Sequence, residues 1–236
     1  EARGKAKDEG FTLPEFDKFW KNGFQEVLSP KKQTILLEKF RIDPEKNPIS
    51  TPSGKIEIFS ETVDSFSYED CPGHPAWLEQ KEWLGSNLTK QYPLQLISGQ
   101  PHNRLHSQLD NGSESQNYKI LGREPIKIHP QDAQIRRLVD GDIVEVFNKR
   151  GKCLAGVIIS NEVMKGVVFL PVGAWYDPIN DGEFCIHGNP NVLTEDIGTS
   201  SLAQGPSAHS TLVEIKKYTK ELPEINIFHK PNIVNK

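Results

Sequence analysis

Short apolar runs separated by polar, turn-rich stretches mark the second half of this chain. Leu94 to Ile97 reads as a strand, and so does Ile126 to Ile128. His129-Pro130-Gln131-Asp132 then opens a short helix, with proline in a first turn where its missing N–H would have no partner anyway, and the helix is predicted to stop near Asp140-Gly141. Ile143 to Phe147 and Cys153 to Ile159 flank Asn148-Lys149-Arg150-Gly151, which predicts a hairpin with its glycine at positive φ. Val167 to Leu170 is a continuous apolar strand, and Ser210 to Ile215 is the last one. Short strands, one small helix and long polar loops together predict a closed or nearly closed β-barrel.

Residues 1–91 carry a different pattern. Phe11, Phe16, Phe19 and Trp20 recur at near-helical spacing, and Leu13-Pro14-Glu15 is predicted to start a short helix with proline in its first turn and an aromatic face that must be buried. Pro30, Pro44, Pro48 and Pro52 punctuate an extended stretch, and Lys55-Ile56-Glu57-Ile58-Phe59 alternates like a strand. Residues 60–92 hold Pro72-Gly73, Pro75, Trp77 and Trp83 with weak periodicity and read as an arm or lid that needs a neighbour to be ordered. Trp20, Trp77 and Trp83 read as packing anchors rather than stacking platforms.

Composition narrows the picture. The chain has 236 residues, 36% hydrophobic and 25% charged, enough for a real core. A net charge of −4 without a strongly basic block argues against nucleic acid as the partner. No apolar run approaches the roughly 20 residues that cross a bilayer as a helix. The single methionine is Met164, and the opening Glu1-Ala2-Arg3-Gly4-Lys5 has no apolar segment, so the chain reads as a piece of something longer. Cys71, Cys153 and Cys185 lack C-x-x-C spacing, which makes a zinc cluster or a thioredoxin-like motif a poor fit and leaves the redox compartment open.

The densest chemistry lies in Ile97-Ser98-Gly99-Gln100-Pro101-His102-Asn103-Arg104-Leu105-His106-Ser107-Gln108. A core has little use for so many donors, because each buried one without a partner costs about 1–3 kcal/mol. A ligand rich in acceptors, such as a phosphorylated heterocycle, would supply those partners. A second loop of this character runs from Asn189-Pro190-Asn191 to Gln204, and the two predict one binding surface drawn from distant parts of the chain.

Other readings compete at each position. Arg104 suits an anion, but equally a surface ion pair. His102 and His106, four apart, would share a face and hold a metal only on a helix; the nearby proline and asparagine favour a loop. Cys185 and His187 suggest a nucleophile and base, as Ser107 would in a hydrolase, without a positioned third group. Asn189-Pro190-Asn191 is ordinarily a turn, Thr199-Ser200-Ser201 a cap, and Asp140-Gly141-Asp142 a tight turn rather than a calcium site.

An ordered set of strings carries a family resemblance. These are Thr51-Pro52-Ser53-Gly54-Lys55-Ile56-Glu57-Ile58, Gly99 to Gln108, Gly122-Arg123-Glu124-Pro125, Asp140-Gly141-Asp142, Gly173-Ala174-Trp175-Tyr176-Asp177-Pro178, His187 to Thr194 and Asp196 to Gln204. Any one is weak; their order and spacing cover nearly the whole chain from Leu13 to Tyr218. The set resembles the C-terminal part of the molybdopterin oxidoreductases of the dimethyl sulfoxide reductase family, nearest the trimethylamine-N-oxide and biotin-sulfoxide reductase branch.

The resemblance implies a mainly β fold, a double-psi β-barrel that binds the molybdopterin dinucleotide, over residues 92–220. Residues 1–91 would then be the end of an upstream domain with a connecting extended and helical arm, and residues 221–236 a C-terminal tail. The implied cofactor is a bis(molybdopterin guanine dinucleotide) molybdenum centre. Ser98, Gly99 and Arg104 are matched to its pyrophosphate, Gln100, Asn191, Gln204 and Asn189 to heterocycle edges, and His106 and Ser107 to pterin or phosphate oxygens. His102 would lie by a substrate channel and Trp175 beside the cofactor. The implied reaction is removal of an oxygen atom from an S-oxide or N-oxide, in partnership with upstream domains that hold the metal ligand, and with an electron donor of the c-type cytochrome kind. No catalytic residue and no metal ligand is expected in this chain, so alone it should not turn over. The tail from Leu222 points to the bacterial periplasm, with the cytoplasm as the other compartment of the family. The competing expectation is a free-standing β-barrel interaction module without catalysis.

Overall fold

Alternation along the strands builds the barrel. In β1 (Leu94–Ile97), Leu94 and Leu96 are buried while Gln95 and Ile97 are only half-buried. β2 (Pro125–Ile128) repeats this with Ile126 and Ile128 inside. β3 (Ile143–Phe147) and β4 (Lys152–Ile159) are buried almost continuously. Both their faces are covered: the inner one joins the main core, and the outer one carries a second cluster of Ile143, Leu154, Phe184 and Ile186. β5 (Val167–Phe169), β6 (Pro178–Ile179), β7 (Phe184–Cys185) and β8 (Leu212–Lys217) complete the set.

The computed structural model describes residues 1–26, 35–179, 182 and 184–230. The strands run β2-β5-β1-β8-β3-β4, and β4 pairs back onto β2, so six of them close into a ring. Within the ring β1–β5 and β2–β4 are parallel; the other pairs are antiparallel. β7 continues outward from β4 in parallel, and β6 pairs with β7. These ring strands are the ones the sequence predicts, and the closed, mainly β architecture agrees with the double-psi barrel expected.

Details differ for physical reasons. α6 (Pro130–Ile135) is capped by the His129 ring, which accepts from Gln131 N–H at 3.3 Å, but it ends at Ile135 rather than near Asp140. Left-handed Arg137 (φ 55°) stops it, and Leu138 N–H turns back to Ala133 O at 3.0 Å. Gly151 is not at positive φ. Its hairpin is instead shaped by Asn148, whose side-chain oxygen takes Arg150 N–H at 2.9 Å.

Contacts group the chain into residues Glu1–Ser60 and Glu61–Lys236. The first unit holds α1 (Ala2–Asp8), α2 (Phe16–Asn22) and α3 (Glu38–Ile42). Pro14 lies before the α2 cap, Glu15, rather than inside its first turn. Phe16 and Trp20 stack at 5.7 Å but remain 67% and 75% exposed, so the aromatic face expected to be covered is open. Lys55 to Phe59 forms no strand among the described residues; Thr51 to Gly54 is a turn closed by Gly54 N–H on Thr51 O at 2.9 Å. Pro30 lies outside the described residues.

Residues 61–91, which include α4 (Glu61–Asp64), go with the barrel rather than with the first unit. The Glu82 carboxylate takes both Arg150 nitrogens at 2.6 and 2.9 Å and Leu212 N–H at 2.9 Å. Burial alone would raise its carboxyl; the Arg150 and Leu212 hydrogen bonds outweigh that and hold it below the usual carboxylate range. The tail folds back too: Asp177 accepts Asn226 and Ile227 N–H at 2.7 and 3.1 Å, and Arg123 donates to Pro223 O. Residues 231–236 lie outside the described chain.

Candidate functional site

The first loop leaves β1 at Ser98. Its N–H donates to His209 Nδ1 at 3.2 Å, next to the end of the second loop. Ser98 Oγ and Asn103 Nδ2 are buried without a hydrogen-bond partner, an unusual state that a ligand atom would relieve. A Cβ on Gly99 would lie 3.1 Å from the Phe169 ring, and the Gly99 carbonyl accepts Val172 N–H at 3.0 Å. Gln100 is exposed and clasps His106 twice: Oε1 accepts His106 N–H at 2.9 Å, and Nε2 meets the ring Nδ1 at 2.7 Å. His106 and Leu109 are left-handed (φ 51° and 59°), so the loop stores backbone strain where its polar groups are densest. Ser107 is exposed, and its carbonyl accepts Trp175 Nε1–H at 2.7 Å.

The second loop starts as a cap. Asn189 Oδ1 accepts Asn191 N–H at 2.9 Å at the head of a short 3-10 turn, Pro190–Val192. A narrow hairpin follows, with Gly198 paired to Pro206 and Thr199 N–H on Gly205 O at 2.8 Å. Asn191 and Gln204 come together in one cleft of about 570 Å³, walled also by Thr194, Glu195, Asp196 and Gly198. Ala208, beside His209, lines it too. The cleft therefore mixes carboxamides, a hydroxyl and carboxylates, a set able to meet a heterocycle edge that both donates and accepts.

Arg104 is set differently from its neighbours. Its side chain is wholly buried and donates to Glu124 Oε1 at 2.9 Å and Val172 O at 2.8 Å. Asp110 lies 3.6 Å from its Nη1. It is thus an ion-pair residue, but an interior one, and its charge is met by protein carboxylates. His102 is exposed in a turn rather than on a helix, and among the described residues no group of three or more His, Cys, Asp or Glu could hold a metal ion.

Cys185 and His187 form no nucleophile–base pair. Cys185 Sγ accepts Asn189 N–H at 3.4 Å, whereas His187 Nδ1 faces Trp175 O at 2.8 Å and so carries the proton there. Burial, then the nearby Lys119 ammonium, hold the His187 imidazole below its ordinary value of 6.5, against the pull of Trp175 O, Asp110 and Glu124.

The sequence reading did not assign Glu195 or His209 to the site, and it had Thr194 and Asp196 only within the strings that carry the resemblance. It did not place Asp110 and Glu124 against Arg104, or Lys119 against both carboxylates, and it weighed His187 only as a base beside Cys185.

Residues 94–212 match the family described as "Molydopterin dinucleotide binding domain". The chain is 46% identical over 229 residues to a trimethylamine-N-oxide reductase of Haemophilus influenzae, across 94% of this chain and 28% of that protein. A trimethylamine-N-oxide reductase 1 of Escherichia coli K12 is 46% identical over 226 residues, across 94% of this chain and 27% of that protein. A dimethyl sulfoxide/trimethylamine N-oxide reductase of Rhodobacter capsulatus is 42% identical over 223 residues, across 93% of this chain and 27% of that protein. The chain thus spans little more than a quarter of these relatives. In fold it is similar to acetylene hydratase from Pelobacter acetylenicus, with a TM-score of 0.61 and 20% identity over 87% of this chain and 28% of that one.

Proposed function

The chain belongs to the molybdopterin dinucleotide-binding domain family, and from that membership we propose that it covers one side of a bis(molybdopterin guanine dinucleotide) molybdenum centre. The larger enzyme would reduce an N-oxide or S-oxide. The observation that carries this is the meeting of Asn191 and Gln204 in one cleft, joined to the first loop by the Ser98–His209 hydrogen bond. When bound, the molybdenum and pterin supply the redox chemistry; this chain's residues bind and orient.

Ser98 and Gly99 offer hydroxyl and main-chain groups to the phosphates, with His106 and Ser107 behind them. Gln100, Asn189, Asn191 and Gln204 address heterocycle edges. Arg104 braces the first loop from within, through Glu124, Val172 O and the Asp110 carboxylate beside its Nη1. The buried, unpartnered Ser98 Oγ and Asn103 Nδ2 support a ligand rich in acceptors and donors. Similarity to trimethylamine-N-oxide reductases supports an N-oxide as substrate and further domains as partners; a cytochrome-type electron donor and a periplasmic setting complete the proposal. No described helix is long and apolar enough to cross a membrane.

The test mixes this chain with extracted molybdopterin guanine dinucleotide and follows cofactor absorbance and the thermal midpoint. Binding should raise the midpoint by mass action, by about 2.7 kcal/mol of stability at a hundredfold excess over Kd. An unchanged midpoint and free cofactor after gel filtration would overturn the reading.

A further inference from the structure

Beneath the first loop lies a lattice of charged groups that the binding role leaves unexplained. Arg104, Asp110, Lys119 and Glu124 are each at most 3% exposed in their side chains, and His187 is wholly buried. Lys119 Nζ reaches Asp110 Oδ1 and Glu124 Oε2, both at 2.8 Å. Glu124 holds Arg104 through its other oxygen. Asp110 Oδ2 accepts Trp175 N–H at 2.8 Å, and Trp175 returns a bond from its indole to Ser107 O. The lattice has two cations and two anions, with His187 uncharged beside them. It ties five stretches together: the first loop, the end of α5 (Ser113–Tyr118), the start of β2, the segment after β5 and the segment before Asn189.

Stability does not account for such an arrangement, because well-packed apolar residues of similar volume commonly do as well or better. What buried, mutually paired charges give is one defined arrangement of the segments that bear them. We propose that Lys119 is a positioning residue: its ammonium bridges Asp110 and Glu124 and so fixes the strained first loop in the shape that receives an anionic dinucleotide. This rests on the reading of that loop given under Proposed function. Lys119 itself touches no proposed cofactor contact; it acts through Asp110 on Trp175 and Ser107, and through Glu124 on Arg104.

The test uses the whole chain in four forms: parent, Lys119→Met, Lys119→Arg and, as a surface control of equal charge change, Lys127→Met. Amide hydrogen exchange is read at His106, Gln108 and Trp175 and, for comparison, along β3 and β4. Binding of extracted molybdopterin guanine dinucleotide is measured alongside. Lys119→Met should exchange tenfold or more faster at those loop amides with β3 and β4 unchanged, and bind tenfold or more weakly. Lys119→Arg should restore most of both, and Lys127→Met should change neither. Loop exchange at parental rates, or equal acceleration through the whole barrel, overturns the inference. Should Lys119→Met not fold, the paired Lys119→Met, Asp110→Asn chain strands no charge, and parental protection of its loop amides overturns the inference equally. Failure of the parent to bind sinks the functional reading and this role with it. A binding parent with unaltered loops in the variants sinks the inference alone.

Discussion

The main-chain oxygen of His106 occupies the space where a side chain on Gly173 would begin: a Cβ there would lie 1.7 Å away. Gly173 is also left-handed, at φ 96°. Two distant stretches are in this way pressed backbone to backbone, and the imidazole that Gln100 clasps is set by that contact. Gly173→Ala therefore must move the first loop. The expected outcome is a loss of about 3 kcal/mol or more in urea unfolding, from backbone strain and overpacking together, and loss of cofactor binding. A parental unfolding midpoint would contradict the contact.

Asn191 and Gln204 are exposed, so truncating either should leave stability within about 0.5 kcal/mol. Binding should respond instead. Each alanine variant is expected to weaken retention of molybdopterin guanine dinucleotide by about 1 kcal/mol, roughly fivefold, the usual worth of one hydrogen bond. Equilibrium dialysis at one temperature measures this. Unchanged affinity in both variants would remove the cleft from the site.

Glu82 joins residues 61–91 to the barrel through Arg150 and Leu212. Glu82→Ala leaves the Arg150 guanidinium and the Leu212 amide without that partner. A loss of about 2–4 kcal/mol is expected, below the upper end for fully buried pairs because Arg150 keeps some exposure. Limited proteolysis should then cut within 61–91 first. Cleavage no faster than in the parent would show that other contacts hold this arm.

His187 makes stability depend on pH. Its imidazole titrates lower when folded than when unfolded, so between those two values the unfolded chain binds more protons. Its contribution is therefore complete above the unfolded value, about 6.5, and is lost as pH falls through the lower folded one. Lys119, Asp110 and Glu124 face the same ring, so the measurement is a difference: thermal midpoints of parent and His187→Asn from pH 8 to 5. The parent should fall more steeply below pH 6.5, and parallel curves would refute the assignment.

Much of the barrel was legible because its ring strands are apolar runs, with period-two burial in β1 and β2, as Leu94, Leu96, Ile126 and Ile128 illustrate, and nearly continuous burial in β3 and β4. β6 and β7 were not, because two-residue strands carry no period. Lys55 to Phe59 had the alternation of a strand but forms none, which no local pattern can reveal. Of the site, the polar loops and their family resemblance were readable, including Asn191 and Gln204. The setting of Arg104 was not: its partners Asp110 and Glu124 are placed by the route of the chain between β1 and β2, and charge alone gives no hint of whether a side chain points in or out.

β8 is the last ring strand in the chain, yet it sits between β1 and β3, pairing with both. Until residue 217 has been synthesised, the earliest strand lacks one neighbour and the ring stays open. Such long-range closure is slow to nucleate and comes late. Binding of the proposed cofactor would therefore await the synthesis of β8, and chains halted before Leu212 should emerge with one edge of β1 and one edge of β3 unpaired, prone to aggregate, and empty.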